Sequence, residues 1–266
     1  MNPPSTAGEN PVYASQRLGL APAFTGKQDL IRAQHAAFWS HPSARADVRA
    51  YRRASPTHVY RAPSPAPTSR WLAASTPFTR WGGDVLAASP SAQLICNRAS
   101  FDAGQYAAGP GAGAAGMSMV HLLVIPRAGL YNGVSLRSGD GDINDVAIID
   151  EMVALFRAAW GRLEVRRAVV EHQYAAIQRR QEAAPDDGAH AEALRHWREL
   201  RRLVLVEEKL GVDDFAFGLH LWPDHSVGHL HMHVLAAPFE FRKYSTSEHD
   251  AKTKDAFEVR DYLNSL

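Results

Sequence analysis

The 266-residue chain has one cysteine, Cys96, so it can form no intramolecular disulfide and cannot build a cysteine-rich zinc site. Cys96 sits in the apolar run Leu94-Ile95-Cys96, where a buried structural thiol is expected rather than a nucleophile. No stretch approaches the ~20 consecutive apolar residues of a membrane span, and the first thirty residues hold no apolar signal-peptide core. These absences predict a cytoplasmic and/or nuclear protein of a reducing compartment, with no membrane partner. An excess of one charge sign is also missing, since the formal net charge is +1.

That near balance hides an asymmetry. Residues 1–80 hold ten Arg/Lys against three acids, together with ten of the 16 prolines. Residues 1–84 therefore read as a Pro/Ala-rich basic extension, largely irregular and partly disordered. Its charge is either solvated or available to nucleic-acid phosphates. If the latter, removing residues 1–80 should weaken nucleic-acid binding and leave turnover of a small substrate nearly unchanged. Within it, residues 28–54 are expected to form one or two helices with Ile31, Phe38 and Trp39 as apolar candidates. The Pro/Ser/Ala-rich stretch 55–75 reads as a linker or surface wrap, with Trp71 and Trp81 as candidate anchors.

Further along, 92–98 and 117–125 read as strands joined by a Gly/Ala-rich loop, 104–116. The spacing Gly109-x-Gly111-x-Gly113-x-x-Gly116 imitates a dinucleotide fingerprint, but no helix follows it, so it reads as an insertion between strands. Val146, Ile149, Val153, Phe156, Trp160 and Leu163 alternate spacings of three and four, which predicts an amphipathic helix broken at Pro185-Asp186-Asp187-Gly188. A second helix carries Leu194, Trp197, Leu200 and Val204. Residues 143–210 thus form a helical insertion, or long hairpin, ahead of a strand at 215–221.

The strongest signal lies at His229-Leu230-His231-Met232-His233-Val234-Leu235. In a strand, successive side chains point to opposite faces, so three imidazoles would share one face and the apolar residues the other. A packed strand has no reason to line its second face with histidine, so a reaction site is expected there. Two histidines at i and i+2 can also be a metal pair, with His220 and His225 nearby to complete it. The outer two backbones are, however, roughly 13 Å apart in an extended strand, which strains a single-ion site.

This stretch resembles the signature of the histidine-triad (HIT) superfamily, His-φ-His-φ-His-φ-φ, where φ is apolar. Phe217–Val227 resembles the entry to that motif in the adenosine phosphoramidase, aprataxin and scavenger mRNA-decapping branches. His121-Leu122-Leu123-Val124-Ile125-Pro126-Arg127 is similar to a second family strand, with Arg in place of Lys. The resemblance spans roughly residues 85–240 and leaves 241–266 as a C-terminal tail. It implies an α+β fold with an antiparallel sheet and flanking helices.

The resemblance also implies a chemistry. The middle histidine, His231, would attack the α-phosphorus of a purine nucleotide conjugate, giving a nucleotidyl-histidine that water hydrolyses. His229 and His233 would contact phosphate oxygens or orient His231, and His121 would support them through hydrogen bonds. Ser226 matches a position that contacts phosphate or helps protonate the leaving group. Asn97 falls near the ribose-binding position. His220 could look toward the triad, and His225 departs from the family pattern in a way that could bear on the leaving group. No metal or cofactor is implied. A third histidine favours hydrolysis over nucleotidyl transfer. The rival expectations are a metal-dependent enzyme, a nucleotidyltransferase and a non-catalytic nucleotide-binding module. The family also allows a homodimer joined edge to edge through its sheets.

Overall fold

The computed structural model describes residues 24–54, 85–97, 117–137, 145–183, 185, 188–206, 208–225, 227–243 and 247–266. Residues 1–23, the candidate anchors Trp71 and Trp81, the loop 104–116 and Ser226 lie outside the described residues. In chain order the elements are α1 (Gln28–Ser40), α2 (Ala44–Ala54), β1 (Val85–Ala88), β2 (Ala92–Cys96), β3 (His121–Pro126), α3 (Ile148–Trp160), α4 (Leu163–Ala183), α5 (Gly188–Leu205), β4 (Phe215–His220), β5 (Met232–Ala236), α6 (Ser247–Lys252), β6 (Thr253–Asp255) and α7 (Ala256–Asn264). The six strands form one sheet in the order β1-β2-β3-β5-β4-β6, every pair antiparallel. The fold is α+β, as the sequence predicts.

Period-two alternation divides the sheet into two faces. Leu122 and Val124 of β3, Met232 and Val234 of β5, and Phe215, Phe217 and Leu219 of β4 enter the main core with Phe156 and Trp160 of α3. Phe215 meets those two rings at centroid distances of 4.7 and 4.6 Å. The alternate residues, His121, His233, Gly218 and His220, fall on the opposite face. Register brings them together, because His233 pairs with Leu123 on one side and Gly218 on the other.

Three local expectations change. The helical insertion contains three helices, because the chain breaks at Gly161, a poor helix former that caps α3, before α4 begins at Leu163. The histidine strand begins only at Met232. The segment before it wraps past the chain following β3, where Leu230 N–H donates to the Leu130 carbonyl (2.8 Å). Finally, the expected C-terminal tail supplies an edge strand between two helices. Strand β6, Thr253-Lys254-Asp255, is almost wholly buried against β4, yet it has no apolar alternation to announce it.

The described part of the N-terminal segment is equally integral. Ile31, Phe38 and Tyr51 of α1 and α2 belong to the main core. Entry into α1 is fixed by the Glu258 carboxylate of α7, which accepts from the backbone N–H groups of Gly26 (2.6 Å) and Lys27 (3.2 Å). Gly26 has φ +72°, a conformation glycine adopts without strain.

Candidate active site

Four histidines, His121, His220, His231 and His233, surround one point on the face of the sheet away from α3. His233 is the hub: ring centroids of His121, His220 and His231 lie 5.1, 4.2 and 4.9 Å from its own. His231 is 9% exposed and His233 6%. Burial therefore decides their charge. It pushes His231 below the ordinary imidazole value of 6.5, against the opposing pull of the His229 carbonyl. Burial pushes His220 and His233 well below that value, with neighbouring imidazoles adding to the effect. His121 is driven to about 3, again mainly by burial. The cluster is neutral at neutral pH.

A neutral imidazole has one N–H and one lone pair, so its partners dictate which nitrogen holds the proton. His231 Nδ1 lies 2.8 Å from the His229 carbonyl oxygen. A carbonyl only accepts, so Nδ1 carries the proton and Nε2 the lone pair. His229 Nε2 lies 3.1 Å from the Pro126 carbonyl and must donate, leaving Nδ1 to accept from the Tyr51 hydroxyl at 2.9 Å. His229 therefore departs from the expected shared row. Both its ring nitrogens are engaged by protein groups, and it meets His231 through its main chain.

A second chain of bonds sets His233. The Asn97 amide nitrogen lies 3.1 Å from His121 Nδ1 and 3.2 Å from its Nε2, and His121 Nε2 lies 2.8 Å from His233 Nδ1. With the amide donating to the nearer nitrogen, His121 Nδ1 accepts, and its Nε2–H donates along the shorter bond to His233. His233 Nδ1 then accepts, and its own proton sits on Nε2. That nitrogen is buried with no hydrogen-bond partner among the described residues. A buried donor without an acceptor is costly, and an anionic oxygen would satisfy it. The Asn97 amide nitrogen, expected at a ribose, thus engages His121.

His220 and His225 complete the neighbourhood. Thr253 Oγ1 donates to the His249 carbonyl (2.6 Å), so it accepts from His220 Nε2–H (3.0 Å). His225 Nε2 lies 2.7 Å from the Tyr131 hydroxyl, and burial lowers its pKa to about 4. The loop between His220 and His225 is held by Asn132, whose amide donates to the His220 carbonyl (3.1 Å) and accepts from Trp222 N–H (3.0 Å). Ser226 follows at once but lies outside the described residues, so its expected role has no geometry here.

The structure therefore brings His121, His220, His231 and His233 together, with Asn97 behind them, His229 beneath His231 and His225 on the loop that leads in. Sequence reasoning missed Tyr51, Tyr131 and Thr253. Each lies more than thirty residues from its histidine partner, and none carries a local pattern. Among the described residues, no three His, Cys, Asp or Glu side chains are grouped to hold a metal ion.

Residues 173–249 match the family described as scavenger mRNA decapping enzyme C-term binding, a histidine-triad family. The matched segment contains α5, β4, the loop carrying His225 and the whole His229–His233 motif, and it bears out the histidine-triad reading. No curated protein and no solved structure matches the chain.

Proposed function

We propose that this protein is a nucleotide hydrolase that cleaves a pyrophosphate or phosphoramidate bond at the α-phosphorus of a nucleotide conjugate, through a covalent nucleotidyl-His231 intermediate. The observation that carries the reading is the hydrogen bond from His231 Nδ1 to the His229 carbonyl. It places the ring's lone pair on Nε2, the nitrogen that attacks, and it stabilises the positive charge that the ring acquires as Nε2 bonds to phosphorus. His233 Nε2–H, buried without a partner among the described residues, is the donor for a phosphate oxygen beside it.

In the first step, Nε2 forms a bond to the α-phosphorus and the bond to the leaving oxygen or nitrogen breaks, its electron pair departing with the leaving group. In the second, water attacks the same phosphorus and the P–N bond returns its pair to Nε2. The nucleoside monophosphate is released and the water proton passes to solvent.

Two observations favour a pyrophosphate-linked substrate, in particular a capped RNA fragment. One is the family matched by residues 173–249. The other is that His225, held at about 4, stores no acidic proton at neutral pH. A nucleoside diphosphate departs as an anion, whereas an amine must be protonated to leave.

The test is product analysis in EDTA, with a methylated cap dinucleotide and adenosine 5′-phosphoramidate offered separately. Cleavage of the cap dinucleotide to a nucleoside monophosphate and a diphosphate, lost in His231→Asn, is expected. Faster turnover of the phosphoramidate would reverse the substrate preference. Wild-type turnover in His231→Asn would overturn the mechanism.

A further inference from the structure

The hairpin of α1 and α2 lies outside the matched segment 173–249, yet it grips the loop that carries the histidines at three points. Gln34 Nε2 donates to Asp224 Oδ2 (2.9 Å), immediately before His225. The Phe38 ring meets Trp222 edge-on at 5.7 Å and stacks against Tyr131 at 6.2 Å. The Tyr51 hydroxyl donates to His229 Nδ1 at 2.9 Å, across 178 residues of sequence. We propose that this hairpin is a clamp on Trp222, Asp224 and His229, and that Tyr51 is a positioning residue that sets His231 through His229. The inference rests on the reading of His231 as the nucleophile.

The argument follows from the proton count on His229. Its Nε2–H is fixed by the Pro126 carbonyl, so its Nδ1 needs a donor. His229 is 0% exposed and Tyr51 1%, so Tyr51 is placed to supply it where bulk solvent does not reach. With both ends of the ring tied, one to the end of β3 and one to α2, the residue cannot pivot. Its carbonyl is the group that orients His231 and holds its proton on Nδ1. Freedom at His229 therefore becomes misalignment of the Nε2 lone pair, which affects the reaction rather than the binding of the nucleotide.

Tyr51→Phe removes one oxygen and keeps the ring that packs against Tyr131 at 5.7 Å. With the methylated cap dinucleotide as substrate, kcat is expected to fall about tenfold or more while KM stays within about twofold. By nuclear magnetic resonance, the His231 Nδ1–H proton is expected to exchange slowly in the parent protein and faster in the variant. An unchanged kcat and an unchanged His231 resonance in folded Tyr51→Phe would overturn the clamp. If Tyr51→Phe does not fold, Gln34→Ala tests the other grip: a fall in kcat at constant KM supports the clamp and an unchanged kcat overturns it. Wild-type activity in His231→Asn would instead sink the nucleophile reading, and the His231 resonance in Tyr51→Phe would then decide the clamp alone.

Discussion

At the scale of single residues, the site is a problem in proton placement. Each buried imidazole holds one proton, and carbonyls, hydroxyls and an amide decide where it sits. The motif was legible because alternating histidines leave a mark in seven consecutive residues. The groups that set its protons were not, because Tyr51, Tyr131 and Thr253 arrive from remote parts of the chain and obey no local period. Three expected outcomes belong here. His231→Asn should lower turnover by on the order of 10³-fold or more while nucleotide binding persists, as measured by single-turnover kinetics and titration calorimetry. A base-stable, acid-labile nucleotide adduct should be trapped on His231 of the parent enzyme and be missing from the variant. The pH profile of kcat/KM should have its acid limb below 6.5, because burial lowers the His231 pKa and only the neutral ring attacks. An acid limb above 6.5 would assign the nucleophile elsewhere.

Among the elements, legibility followed length and periodicity. Strands β2, β3, β4 and β5 and the long helices on either side of Pro185 were readable from apolar spacing. Strands β1 and β6 were not, since β1 is only four residues long and the three polar residues of β6, which pair with the β4 edge, carry no apolar pattern. That edge is tight. A Cβ on Gly218 would lie 2.4 Å from Thr253 Cγ2, and Thr253 is held by His220 and the His249 carbonyl, so it cannot swing aside. Gly218→Ala should therefore push β6 away and cost about 1–3 kcal/mol, the range for overpacking a filled site. Thermal unfolding would read this as a lower Tm, and an unchanged Tm would show that β6 yields freely. The role of residues 1–80 also changes at this scale. They cannot be removed as a dispensable arm, because the removal takes Gln34, Phe38 and Tyr51 with it.

For the molecule as a whole, a neutral histidine cluster couples stability to pH. The folded values of His121 (about 3) and His225 (about 4) lie below the ordinary 6.5, so the unfolded chain takes up protons first as pH falls. The stability involved is full above 6.5 and drains away below it, by about 2 kcal/mol per histidine at pH 5. His220 and His233 act in the same direction. Asp255 acts in the opposite direction, since burial raises it from 3.8 to about 7, and it offsets about 2 kcal/mol between pH 7 and 5. Four histidines outweigh one carboxyl, so denaturant unfolding should give lower stability at pH 5 than at pH 7, and the reverse order would contradict the burial of the cluster. Because β6 covers the β4 edge, the two end strands of the sheet are β1 and β6. The ion-backbone link between Glu258 and the Gly26–Lys27 turn has a consequence for synthesis. A ribosome makes α1 first and Glu258 more than two hundred residues later, so the hairpin that holds His229 gains this anchor only after the histidine motif itself has been made.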